Sequence, residues 1–268
     1  MGTPRKPNSW TLRLALLSAA PIVAGCTQLP PHMRQELVQA DQAYNKGDIP
    51  GATKRLDSIL LQYPIAVESA EAYYLRAMCR IKQGRSGDAM ADLQQCVKLS
   101  SRNDLTGKAW AALGGIQQDM GQWGPAADSY RKALQNLPTT GSPGVTDQVL
   151  LRYGICLQRQ GKWNEAREPF STLIKRYPNS PFVEDARRRF SWKHQYFSIQ
   201  CGAYTRPSQA DGQLRKLRSA LSEAWLEPEA RFGRPMYVVY AGKYGTYAQA
   251  EGGLRNARRV TPEAFIVP

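Results

Sequence analysis

Residues 109–138 read AWAALGGIQQDMGQWGPAADSYRKALQNLP. Trp110, Leu113 and Gly114 are spaced to share one side of a helix, and Gly121 interrupts it. Ala126, Tyr130 and Ala133 stripe a second helix, which Pro138 closes. This copy spans about 107–138, and the pattern recurs three times. Residues 147–178 supply Tyr153, Gly154, Gly161, Ala166, Phe170, Leu173 and Pro178, and residues 70–101 supply Tyr73, Ala77, Gly84, Ala89, Leu93 and Cys96. A more degenerate copy at 33–64 supplies Ala40, Gly47, Ala52, Leu56, Ile59 and Pro64. The interrupting glycines at 47, 84, 121 and 161 lie 37, 37 and 40 residues apart, the excess falling in the loop PTTGSPGVTD at 138–147. Small residues at the crossing points let paired helices approach closely. A lone helical hairpin cannot bury its apolar face, so the four copies predict a stacked, curved α-solenoid over residues 33–190.

These landmarks resemble the tetratricopeptide repeat, in which W-x2-L-G, a turn glycine, A-x3-[FY]-x2-A and a closing proline mark each helical pair. The resemblance implies a concave face that binds protein segments. Its geometry would place Leu37, Asp41, Tyr44, Tyr74, Met78, Ile81, Gln118, Leu151, Ile155 and Gln158 along that groove. The carboxylate-holding Lys/Asn pattern of chaperone-binding relatives is missing, because Leu37, Tyr74, Ala111 and Leu151 occupy its positions. Such a surface could hold an envelope protein or pack against the chain's own termini.

From Tyr196 the periodicity changes from helical to alternating. YFSIQCGAY, residues 196–204, sets Phe197, Ile199 and Cys201 on one side and Ser198 and Gln200 on the other. An amphipathic helix with Ala210, Leu214, Leu217 and Leu221 in one stripe follows, then a strand near EPEARF and the strand MYVVYAG. A second helix with Tyr247, Ala250, Leu254 and Ala257 inward leads to AFIVP. The expected fold is α plus α/β: the solenoid, then a small βαββαβ domain over 194–268. Both crossover helices of such a domain pack on one sheet face, leaving the other bare. Ser198 and Gln200 are expected on that bare face, with Ile199 and Cys201 beneath the helices.

IQCGAY and its echo YVVYAGKY resemble the two signature strands of the SPOR (sporulation-related repeat) domain. That resemblance implies binding of peptidoglycan, particularly glycan strands stripped of peptide, by Ser198, Gln200, Ala203, Val238 and Tyr240. Ala203 stands where some relatives carry Ser, and Val238 where Arg is frequent. An amide, a hydroxyl and an aromatic ring on a shallow face suit a neutral sugar ribbon, through donor–acceptor pairs and ring stacking.

Ahead of both modules, Arg5, Lys6 and Arg13 precede the apolar run LALLSAAPIVAG, which contains Pro21 and is too short to span a bilayer. Residues 1–25 read as an export signal. Val23-Ala24-Gly25-Cys26 resembles the bacterial lipoprotein box, implying lipidation of Cys26, a linker over 26–32 and a membrane anchor through the lipid. Thr27 rather than Asp at the next position favours, by that family's rule, the periplasmic face of the outer membrane.

The formal net charge is +14. In an exported protein such a balance faces lipid head groups and cell wall, so no nucleic-acid partner is expected. Part of the excess lies in Arg187-Arg188-Arg189 with Lys193. Cys79, Cys96, Cys156 and Cys201 follow no CxxC or regular spacing, so their pairing stays open. No GxSxG, P-loop, HExxH or Rossmann glycine pattern occurs, and His32 and His194 stand in no base or metal constellation. The chain is therefore expected to be a non-enzymatic binding protein without metal or cofactor, serving division, wall remodelling or envelope integrity. The competing expectation is a repeat scaffold for an outer-membrane machine whose last domain no longer holds glycan. A wall hydrolase lacks a supported carboxylate pair.

Overall fold

The computed structural model describes residues 28–138, 144–221, 223–231 and 233–268. The export segment 1–25, the lipidation candidate Cys26 and positions 139–143 of the inter-repeat loop lie outside these residues. No helix among the described residues is long and apolar enough to cross a membrane.

Four helical pairs form the N-terminal part: α1 (Pro31–Asn45) with α2 (Ile49–Gln62), α3 (Ser69–Lys82) with α4 (Ser86–Leu99), α5 (Asn103–Asp119) with α6 (Trp123–Asn136), and α7 (Val145–Arg159) with α8 (Trp163–Arg176). A ninth helix, α9 (Val183–Ser191), packs on α8. The four glycines that interrupt the sequence pattern turn each pair at φ between 70° and 84°, which an L side chain rarely adopts. Close approach explains the small residues. A Cβ on Gly114 would lie 2.7 Å from the Tyr130 ring, and one on Gly154 would lie 2.4 Å from the Phe170 ring.

Three apolar clusters run along the solenoid, each bridging neighbouring pairs. Leu29, in the expected linker, is fully buried in the first, and its amide donates to Glu68 at 2.9 Å. The chain is therefore pinned to the first repeats before α1 begins.

The C-terminal part runs β1 (Phe197–Tyr204), α10 (Pro207–Ala220), β2 (Ala224–Arg231), β3 (Arg234–Tyr244), α11 (Tyr247–Ala257) and β4 (Phe265–Val267). The antiparallel sheet has the order β2-β3-β1-β4. Ile199, Cys201, Val239 and Ala241 lie under the helices with Ala210, Leu217 and Ala257. Tyr247 departs from the inward helix stripe. Its ring meets Trp123 of α6 and Phe197, and the Arg159 guanidinium stacks on it. Trp163 of α8 closes on Phe197 with ring centroids 4.8 Å apart. The last repeat and the sheet domain thus meet through aromatic rings around one cation. Burial lowers the Arg159 guanidinium to about 10, opposed by the neighbouring Tyr247.

All four described cysteines are buried and unpaired as disulfides. Burial pushes the thiols of Cys96 and Cys156 up to about 12 and that of Cys201 to about 11, keeping them protonated at neutral pH. In native protein at pH 8 a thiol-titrating disulfide reagent should leave these groups unmodified for as long as the fold holds, and modify them once it is denatured. Rapid modification of any of the four in native protein would contradict the packing.

Candidate functional site

The sheet face away from α10 and α11 holds the residues nominated for glycan contact. A bulge decides one of them. Register shifts by one residue between Gln200 and Gly202, and this turns Ala203, opposite Val238, onto the face of Gln200, opposite Tyr240. Gly202 has φ 155°, and a Cβ there would lie 2.6 Å from the Tyr204 ring. Without the bulge, strict alternation would send Ala203 toward the helices.

The face itself is not bare. Ser198 and Val238 are 0% exposed, Tyr240 1% and Gln200 6%. The expectation of an open face over these residues is corrected by the packing of the chain's own Trp192. Val238, Tyr240 and Val267 form a small apolar cluster against which Trp192, Ala203, Trp225 and Met236 pack. Sequence periodicity missed this because Trp192 lies ahead of the first strand, between α9 and β1, in neither periodic pattern. Ser198 points its hydroxyl at the Ala241 carbonyl, 3.3 Å away, and Tyr240 donates its phenol to Glu229.

Around this covered centre stands a half-exposed rim that the sequence reading did not nominate. His194 and Tyr196 stack at 4.7 Å, and Tyr196 meets Trp225 edge-on at 6.3 Å. The Lys243 ammonium lies 5.2 Å above the Trp225 ring, while Glu227 meets both His194, at 3.1 Å, and the Trp225 indole N–H, at 3.3 Å. A groove of about 320 Å³ between the 191–194 segment and the sheet is lined by Trp192, His194, Glu227, Glu229, Tyr240 and Val267 among others. Stacked rings with flanking charges can hold a pyranose face and its hydroxyls. Aromatic enrichment between 192 and 196 was the available signal.

The Arg187–Arg189 run is spent on neighbours. Arg187 pairs with Glu184, Arg188 and Arg189 with Asp185, and Arg189 also donates to Gln158 at 3.1 Å. Burial drives the Arg189 guanidinium down, opposed by Asp185.

In the solenoid, Tyr74, Met78 and Ile81 do line a groove of about 310 Å³, together with Lys108, Ala111, Ala112, Arg152 and others from α3, α5 and α7. Tyr44 and Ile155 are half-buried, and Asp41 accepts a bond from Asn45 at 3.1 Å. Gln118 accepts the Tyr130 phenol at 2.8 Å. Three nominated residues are corrected: Leu37 and Leu151 belong to apolar clusters, and Gln158 is buried as the acceptor for Arg189. Lys108 and Arg152 add two cations, and Asp119 one carboxylate, to a mainly apolar wall. Among the described residues no group of three or more His, Cys, Asp or Glu could hold a metal ion.

Comparison with known proteins bears on both modules. The SPOR domain family model matches residues 193–268, and two tetratricopeptide repeat models match residues 148–180 and 70–103. A tetratricopeptide repeat protein from Parabacteroides merdae ATCC 43184 is 13% identical with a TM-score of 0.50, over 59% of this chain and 58% of that one. YrrB, described as a TPR protein with an unusual peptide-binding site, is 17% identical with a TM-score of 0.48, over 58% of this chain and 72% of its own. MamA is 18% identical with a TM-score of 0.49, over 59% and 78%. At such identities the likeness concerns the fold alone. Among curated proteins no match was found.

Proposed function

From a chain that carries tetratricopeptide repeats in its N-terminal part and a SPOR domain at residues 193–268, we propose a non-enzymatic envelope protein that grips peptidoglycan glycan with one module and a protein with the other. Both modules are binding modules rather than catalytic ones. The match over 193–268 carries the glycan reading, and the half-exposed Trp225 ring on β2 supplies an accessible contact surface. The lipoprotein box at Cys26 supports a lipid-anchored protein on the periplasmic face of the outer membrane. Single hydrogen bonds to a sugar contribute about 1 kcal/mol each, so affinity per site is weak and depends on a tethered protein meeting a polymer with many sites.

Co-sedimentation of the full chain with purified sacculi tests this. Pelleting should rise after amidase treatment strips the peptides. Trp225→Ala should weaken it about fivefold, the loss of one ring stack. No pelleting with either preparation would reject the reading. Cys26→Ser should release the protein from membranes, and an unchanged membrane fraction would reject the anchor.

The solenoid groove suits an extended peptide with apolar side chains and acidic groups, which would face Lys108 and Arg152. A photo-reactive residue at Met78 should cross-link an envelope protein, whereas one at buried Leu37 should not; equal labelling would reject this placement.

One observation favours a second reading, an assembly scaffold whose SPOR domain holds no glycan. Ser198, Gln200, Val238 and Tyr240 are covered by the chain itself. The sedimentation assay separates the two.

A further inference from the structure

The cover over the sheet comes from outside the matched domain. Trp192 immediately follows α9 and precedes residue 193, where the SPOR match begins. Its indole meets Tyr240 edge-on at 5.5 Å, Tyr196 at 6.1 Å and His194 at 5.0 Å, and its N–H donates to the Tyr196 carbonyl at 3.0 Å. Beneath it lie the apolar residues Val238 and Val267 and the ring of Tyr240. We propose that residues 191–196, seated by Trp192, form a displaceable strap that shields the SPOR sheet face and must leave before glycan reaches its centre. This inference rests on the reading that the domain holds glycan, and adds how that site is regulated.

The manner of attachment makes displacement cheap. Residues 192–195 belong to no helix or strand, and no backbone–backbone hydrogen bond holds them among the described residues. Side chains do the holding: Trp192 in its ring cluster, and His194 against Glu227 at 3.1 Å. A segment without backbone ladders opens at a small fraction of the global unfolding cost. The strap also joins α9 to β1, and α9 packs on the last repeat pair. A partner that shifts the last repeats would therefore pull on the cover.

Occlusion lowers apparent affinity by the fraction of molecules that are open. If the strap is seated in about nine molecules in ten, removing its anchor should tighten binding roughly tenfold. The full-length protein, Trp192→Ala and Trp192→Phe should be pelleted with amidase-treated sacculi across a concentration series. Trp192→Ala should bind about tenfold more tightly than wild type, with Trp192→Phe closer to wild type. Binding by Trp192→Ala alone would also support the strap. Pelleting of wild type that Trp192→Ala matches or weakens would overturn the strap and leave the glycan reading intact. Pelleting by none of the three would overturn both. Hydroxyl-radical footprinting of the wild-type chain gives a measurement free of mutation. Oxidation of Trp192 should rise when soluble denuded glycan is added, and an unchanged or reduced level would overturn the strap.

Discussion

Asp92→Ala should lower the stability of the repeat region by about 3–5 kcal/mol, because it strips the buried, shared anion from two partly buried cations. Asp92 lies on α4 with its side chain 4% exposed, and it accepts from Arg76 at 2.9 and 2.7 Å and from Arg80 at 2.7 Å. Arg76 keeps a second partner, the half-exposed Asp57 at 2.8 Å, while among the described residues Arg80 keeps the Asp88 carbonyl at 3.2 Å. The Arg80 Nε already lacks a partner among the described residues. Thermal melts should show a midpoint lower by roughly 10 °C or more. Replacing all three groups with apolar side chains, as Arg76→Met, Arg80→Met and Asp92→Leu together, should recover most of the loss, since no buried charge is then left unpaired. An Asp92→Ala midpoint within 2–3 °C of wild type, corresponding to about 1 kcal/mol, would show that water reaches the pair freely.

Phe170→Ala should cost a similar amount, about 3–5 kcal/mol, through the cavity it leaves between α7 and α8. Phe170 is fully buried, and Gly154 on the facing helix presents bare backbone to its ring. That juxtaposition gives a sharper test. Gly154→Ala alone should destabilise by about 1–3 kcal/mol, because its methyl enters occupied space. In a Phe170→Ala background the same methyl enters the vacated volume and should cost far less, a strongly non-additive cycle. Additive losses in chemical denaturation would mean that the two groups do not share that space. Because the last pair touches the sheet domain through Trp163 and Phe197, Phe170→Ala should also disturb glycan pelleting. Asp92→Ala, two repeats away, should leave pelleting unchanged.

The repeats were legible because their information is local. Helical spacing, the glycines at 47, 84, 121 and 161 and the closing prolines each act within a few residues of where they are read. The strand pattern at 197–204 was legible for the same reason, and the family resemblance placed Ala203 on the Gln200 face where simple alternation did not. The bulge at Gly202 supplies the cause. Asp92 shows the limit. It sits beside Ala89, Leu93 and Cys96 on α4 with no local mark of its burial, because its partners stand 12 and 16 residues away on another helix.

By itself the amino-acid sequence determined that two binding modules follow one another, where the periodicity changes from helical to alternating, and which glycines turn the helical pairs. Only the tertiary structure decided that Trp192 lies over the sheet, that Arg159 is enclosed by Trp123, Phe197 and Tyr247, and that the rings left half-exposed around the covered centre are His194, Tyr196 and Trp225. Periodicity reports which side of an element is apolar. What covers that side depends on how chain segments far apart in sequence meet in space.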